Sequence, residues 1–249
     1  MGKTFEALMK AERDHQLRRE ELAQFEPKVS LQPYMPLRLS ISHQVSEEYQ
    51  RLKHNLRSLF PEAKSRALMF VGSTHGEGAS TVVATFGAVL ATSGEQVLLV
   101  DANLRKPALH NLFSVDRTQG VTELLLGLKD VKEVKKRTRF DKLSVITSGV
   151  PPSNPGSLLS AKNVCSMIEQ MKRESEWVLI DAAPLNEYND AMVFCSEVDG
   201  AVLIVKAEET RWEVAERTKQ RLDDAGVRLV GAVLNRRKMY IPEWLYRRL

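Results

Sequence analysis

The chain has 249 residues, 43% hydrophobic and 27% charged, with a formal net charge of +4, which is an ordinary balance for a globular protein that needs no staples to hold its core. Cys165 and Cys195 have neither metal-ligand spacing nor enough partners for a disulfide framework, so a reducing, intracellular compartment is expected. No apolar run approaches the roughly 18–20 residues of a membrane span.

Residues 1–26 are polar and helix-prone, with Phe5, Leu8 and Met9 at i, i+3, i+4 spacing. They are too charged for a secretory signal peptide, and Gly2-Lys3-Thr4-Phe5-Glu6 falls short of a myristoylation signal. Residues 27–42 carry Pro27, Pro33 and Pro36 and read as an extended linker. From 43 to 236 the pattern is globular. Apolar runs of strand length recur: ALMFV (67–71), QVLLV (96–100), LSVIT (143–147), WVLI (177–180), GAVLIV (200–205) and LVGAVL (229–234). They are continuous rather than alternating, as strands buried on both faces are. Helical stretches separate them, among them Ser80–Ser93, Leu158–Lys172 and Arg211–Ala225. This alternation predicts an α/β fold with a doubly wound, mostly parallel sheet.

The tail, 237–249, is basic and apolar. From Asn235 onward Arg236, Arg237, Lys238, Arg247 and Arg248 face Glu243 alone, a charge suited to an anionic membrane surface or an acidic partner. Ile241, Trp244, Leu245 and Leu249 would share one face of a short helix, with Pro242 in its first turn. That pattern suits a docking segment.

The chemistry-bearing stretch is VGSTHGEGAST (71–81), which follows the first strand and opens a helix. Gly76 and Gly78 let the backbone wrap so that successive N–H groups point at a phosphate, and the helix N-terminus adds partial positive charge. The run Ser73, Thr74, Gly76, Glu77, Gly78, Ala79, Ser80 and Thr81 is the candidate nucleotide cradle, with Ser80 as the Mg²⁺-side hydroxyl. A P-loop has lysine before that hydroxyl; here Ala79 stands there. Alone, the loop is also compatible with a tight structural turn. Two further strands end in acids, Asp101 and Asp181, where ligands bind in open α/β sheets. Both are candidate Mg²⁺ ligands and catalytic residues. His75 reads as a solvent-exposed loop histidine and His110 as structural.

The chain resembles the cytoplasmic domain of the bacterial tyrosine kinases (BY-kinases) of capsule and exopolysaccharide synthesis, within the MinD/ParA-like P-loop proteins. The resemblance covers roughly 43–236. It rests on SEEYQRLKHNL, the GEGAST loop, VLLVDANLRKPALHNLF, SGVPPSNPGSLLS, WVLIDAAP, and DGAVLIVKAEET running on to GAVLN. It implies ATP and Mg²⁺ as cofactors, Asp101 and Asp181 as site acids, and Arg105 beside the nucleotide.

Against the family pattern four positions depart. Ala79 removes the ammonium that neutralises the transferring phosphates. Asn103 stands where the resemblance implies an Asp acting as base on the attacking tyrosine, and an amide cannot be that base. In place of an assembly helix with an E-x-x-R-x-x-R pattern the chain has Glu47, Gln50 and Lys53, or Glu48, Arg51 and His54 in a shifted register. In place of a tyrosine-rich acceptor tail it has Tyr240 and Tyr246, the candidate phospho-acceptors.

The reading these residues favour is a catalytically impaired kinase homologue that regulates exopolysaccharide synthesis and export. Its expected partner is a membrane-anchored polysaccharide co-polymerase, and its expected place is the cytoplasm, peripheral at the inner face of the membrane. Homo-oligomers are allowed for; nucleic acid is not expected as a partner. The alternatives are an active ATP-dependent tyrosine autokinase and a MinD/ParA-like nucleotide switch.

Overall fold

The computed structural model describes residues 43–152 and 154–237. The expected N-terminal helix, the linker and the tail from 238 onward lie outside the described residues, and with them Tyr240 and Tyr246.

In chain order the elements are α1 (His43–Ser58), β1 (Arg66–Gly72), α2 (Ala79–Thr92), β2 (Val97–Asp101), α3 (Leu109–Phe113), α4 (Val121–Leu125), α5 (Val131–Val134), β3 (Lys136–Arg137), β4 (Leu143–Ile146), α6 (Pro155–Leu158), α7 (Ala161–Glu174), β5 (Trp177–Asp181), α8 (Asp190–Cys195), β6 (Gly200–Lys206), α9 (Trp212–Asp224) and β7 (Leu229–Asn235). The seven strands form one sheet in the order β3-β4-β2-β5-β1-β6-β7. Every pairing is parallel except the short β3–β4 pair.

Helices cover both faces, as parallel strands joined by crossovers require. On one face Leu56 of α1 and Val82, Val83, Phe86 and Leu90 of α2 pack with Phe70, Leu99, Trp177 and Leu179 of the strands. On the other, Val164, Ile168 and Met171 of α7, Phe194 of α8 and Leu222 of α9 pack with Met69, Val100 and Ile180. Helix α2 is apolar nearly all round and buried from Val82 to Ala91 because it lies between the sheet and α1. The ring of Phe86 stacks on Tyr49 at 6.0 Å and meets Trp177 edge-on at 5.9 Å. Each such fully buried ring contributes about 1.5–3 kcal/mol of apolar burial.

Two details depart from expectation, and a third places the helix of the expected assembly residues. The helix expected over 158–172 is two: α6 ends at Leu158, and Ser160 caps a new helix by accepting from the Asn163 N–H at 3.3 Å. The antiparallel β3 is only two residues long and carries no periodic signal. Helix α1 is held in cis: Gln50 donates to the Ser93 hydroxyl at 2.6 Å, and Lys53 pairs with Glu95 at 2.6 Å. Of the three expected assembly residues, Gln50 and Lys53 therefore bind the end of α2 in the same chain, while Glu47 stays exposed beside His43.

Candidate functional site

The C-terminal ends of β1, β2 and β5 converge where the loop after β1 turns into α2. Gly76 and Gly78 both have φ of 90°, the left-handed region that glycine enters without strain. A Cβ on Gly78 would also collide with the Asn235 amide, so that position is closed to any side chain.

The loop is latched by its own carboxylate. Glu77 is buried; its Oε2 accepts from the N–H groups of Ser73 (2.5 Å) and Thr74 (3.2 Å), and its Oε1 accepts from the Thr210 hydroxyl (2.6 Å). Asn235, the last residue of β7, donates its amide to the Glu77 carbonyl at 2.8 Å. The His75 N–H is taken by Glu187 at 2.6 Å. The Leu185 and Asn186 N–H groups reach the carbonyls of Gly72 and Ser73, both at 3.2 Å. Among the described residues no acceptor takes the N–H groups of Gly76, Glu77 or Gly78, and the first N–H groups of α2 have no intrahelical acceptor either. Thus the Glu77 side chain builds the loop, and the backbone from Gly76 to Ser80 is what remains to face an anion.

Beside the loop stand the two acids. Parallel pairing puts Asp101 and Asp181 directly opposite one another on β2 and β5. Both are fully buried. Asp101 Oδ2 accepts from the N–H groups of Ala108 (3.0 Å) and Leu109 (2.9 Å) at the start of α3, while its Oδ1 has no hydrogen-bond partner. Neither oxygen of Asp181 has one. Burial pushes the Asp101 carboxyl well above the usual range, against the pull of the α3 N–H groups and of Arg117. Burial raises Asp181 too, the Asp101 charge raises it further, and the neighbouring Ser80 hydroxyl only partly offsets this. Two like charges side by side in a dry place hold protons.

Those orphaned oxygens fit a hard cation. Asp181, Asp101 Oδ1 and the Ser80 hydroxyl offer oxygen ligands at the mouth of a phosphate loop, the sparse protein ligation that Mg²⁺ takes alongside phosphate and water. Among the described residues no group of three or more His, Cys, Asp or Glu is placed to hold a metal. The carboxylates are thus too few for an all-protein cage, and the cation would come with its phosphate.

Asn103 is buried, and its Oδ1 accepts from the Lys106 N–H at 3.1 Å, closing the turn after β2. Arg105 is held by Asp190, at 2.6 Å through Nε and 3.3 Å through Nη2, and stacks on Tyr188 at 4.6 Å. The SGVPPSNPGSLLS stretch borders the same place. Buried Glu123 accepts from the N–H groups of Gly120 (2.6 Å) and Val150 (3.2 Å). Further on, a Cβ on Gly156 would lie 3.6 Å from Asp190 Oδ1. His75 is exposed, and His110 is half-buried, with burial first and then Arg117 and Lys136 lowering its pKa. Thr210, Asn235 and Glu187 belong to the loop's frame; the first two close the stretches DGAVLIVKAEET and GAVLN that carry the resemblance, but their residue types alone point to no such role.

Comparison with known proteins agrees with this geometry. The family model described as "Cellulose biosynthesis protein BcsQ" matches residues 65–230. The Tyrosine-protein kinase YwqD of Bacillus subtilis is 31% identical over 194 residues, 78% of this chain and 82% of its own length. The Tyrosine-protein kinase etk of Escherichia coli K12 is 31% identical over 189 residues, but those are only 26% of its length. Among solved structures, the kinase domain of Escherichia coli ETK superposes with a TM-score of 0.72 at 29% identity, covering 80% of this chain and 79% of that one. The cell division ATPase MinD of Pyrococcus furiosus superposes with a TM-score of 0.61 at 25% identity, covering 74% and 78%. The parallel sheet is therefore shared with these proteins, and the chain belongs to the bacterial tyrosine-kinase family, a branch of the MinD/ParA-like P-loop proteins that the BcsQ model also describes.

Proposed function

We propose that this chain is a kinase homologue with impaired phosphoryl transfer, acting as a regulatory subunit of exopolysaccharide or capsule synthesis and export. The observation that carries this reading is the methyl of Ala79 at the position where a P-loop presents its lysine. Phosphoryl transfer depends on positioning and on cations that follow the developing charge. Loss of one such group costs about a hundredfold or more in rate, on the scale of a lost oxyanion donor. Arg105, a neighbouring cation that would have to stand in for the lysine, is engaged by Asp190 and Tyr188. Asn103 spends its carbonyl oxygen on the Lys106 N–H and has no basic oxygen for a tyrosine proton.

The residues that remain would still hold a ligand. Backbone N–H groups from Gly76 to Ser80 would receive phosphate oxygens, while Ser80, Asp101 and Asp181 would receive Mg²⁺, which supplies positive charge between the phosphates. The proposed partner is a membrane-anchored polysaccharide co-polymerase at the inner face of the cell membrane. Among the described residues no helix is long and apolar enough to cross a membrane. The test is calorimetric titration of Mg-ATP into the natural protein and into Ala79→Lys. Affinity at least about tenfold tighter in the lysine variant is expected; equal affinity and equal labelling of tyrosine by γ-phosphate would sink the reading.

A second reading, an active tyrosine autokinase, is favoured by the retained acid pair and Ser80. It requires γ-phosphate on Tyr240 or Tyr246 in protein made without other kinases. Labelling that persists in the Tyr240→Phe, Tyr246→Phe double variant rules out those acceptors.

A further inference from the structure

The two edges of the sheet differ in kind. At one edge β3 is two residues long, and both are basic, Lys136 and Arg137. Short, charged edges resist pairing with other chains. At the other edge β7 runs seven residues, Leu229–Asn235, with no charged side chain, and no strand among the described residues lies beyond it. Val233 packs into the core on the α1–α2 face. Alternation therefore turns Ala232 and Leu234 to the face that α9 shares, and both are exposed, Leu234 at 57%. The turn after β6 is tied to the end of β7 by the Ala207 N–H to the Asn235 carbonyl at 2.9 Å. Trp212, which opens α9 five residues later, is 74% exposed. An uncharged open strand thus runs up to the same end of the sheet as an exposed tryptophan.

We propose that residues 241–249 of the same chain fold back over this edge as a short amphipathic helix, seating Ile241, Trp244 and Leu245 against Leu234, Ala232 and Trp212. Three observations select this occupant. The segment starts within six residues of the end of β7, so it reaches the edge without a linker, and Arg236 already turns the chain there with φ of 56°. Its apolar residues recur at the spacing of one helical face, whereas Pro242 bars it from serving as an added strand that donates along its length. Its charge is complementary: Lys238, Arg247 and Arg248 meet a stretch from 206 to 216 in which Glu208, Glu209, Glu213 and Glu216 outnumber Lys206 and Arg211, Lys206 being paired with Glu209. A helix over 242–249 is about 12 Å long, about half the roughly 23 Å of a seven-residue strand, so it would cover the C-terminal half of β7, where Leu234 lies.

The experiment is a disulfide trap in the full chain. With Cys165→Ser as background, Leu234→Cys is combined with Leu245→Cys and oxidised mildly over a range of protein concentrations. An intramolecular bond, formed in the monomer at a yield independent of concentration, is the expected result. Bonds that form only between chains would assign the edge to a second copy and overturn the proposal, and so would no bond at all. A second measurement needs no new cysteine. Hydrogen exchange of the β7 amides is compared between the natural chain and Trp244→Asp/Leu245→Asp. Exchange about tenfold faster in the variant is expected, and unchanged exchange overturns the proposal.

Discussion

Glu77 shows how a loop that must wrap closely around an anion keeps its own shape. Two N–H groups and a hydroxyl converge on its carboxylate in a buried place. Glu77→Ala strands all three, and each unsatisfied donor costs about 1–3 kcal/mol. Destabilisation of that order or more is expected in urea unfolding, with the midpoint lowered and the slope unchanged. Asp181 has the opposite character, a buried acid whose burial only the neighbouring Ser80 hydroxyl offsets, and only in part. Its folded pKa is raised, so the stability it allows is complete only below the ordinary aspartate range and is lost progressively as pH rises from there toward the folded value. In EDTA, Asp181→Asn is expected to raise the melting temperature at pH 7.5, by about 2–4 °C per kcal/mol relieved, to raise it less at pH 5, and to change it little at about pH 3.5, below the ordinary aspartate value. At this scale the acids were legible, because each ends an apolar strand. The role of Glu77 was not: GEG reads the same whichever way the carboxylate turns, and its partners Thr210 and Asn235 stand 133 and 158 residues away.

Among elements, α1 shows how little of a helix's placement its own sequence reveals. Lys53 and Arg57 reach Glu95 at 2.6 and 3.0 Å, and the same carboxylate accepts from the Trp177 indole N–H at 3.2 Å. Burial alone would raise the Glu95 pKa, but hydrogen bonds with Lys53, Glu176 and Trp177 outweigh it and hold it at about 2. Its stabilising contribution is therefore complete above the ordinary glutamate range and is lost as pH falls toward 2. Glu95→Gln should lower the melting temperature at pH 7 and flatten its fall between pH 5 and 3; an unchanged acid limb would show that α1 is held by apolar packing alone. The strands were legible to within a residue or two, since runs such as WVLI are buried on both faces and need no periodicity to be seen. The break between α6 and α7 was not. The apolar residues on either side of Ser160 continue one pattern, and only the cap interrupts it.

The whole molecule places its chemistry by strand order rather than by local sequence. β2 and β5 are separated in the chain by five helices and two strands before they pair. Only this topology sets Asp101 opposite Asp181, and the family resemblance, not residue spacing, makes that neighbourhood readable beforehand. The same topology leaves β7 at an open edge with Ala232 and Leu234 exposed among the described residues. Removal of residues 238–249 is expected to make the protein self-associate at concentrations where the full chain is monodisperse, as read by light scattering.

The face-to-face acids have a calorimetric consequence. Since burial keeps protons on the pair near neutrality, a divalent cation arriving there has to displace hydrogen ions into the solvent. The measured heat of Mg-ADP addition should then depend on the buffer, shifting in proportion to the buffer's own ionisation enthalpy with a slope of roughly one proton per cation. In Asp101→Asn that slope should fall toward zero. The ion would be read through the proton it releases, with no substrate turned over and no phosphate moved.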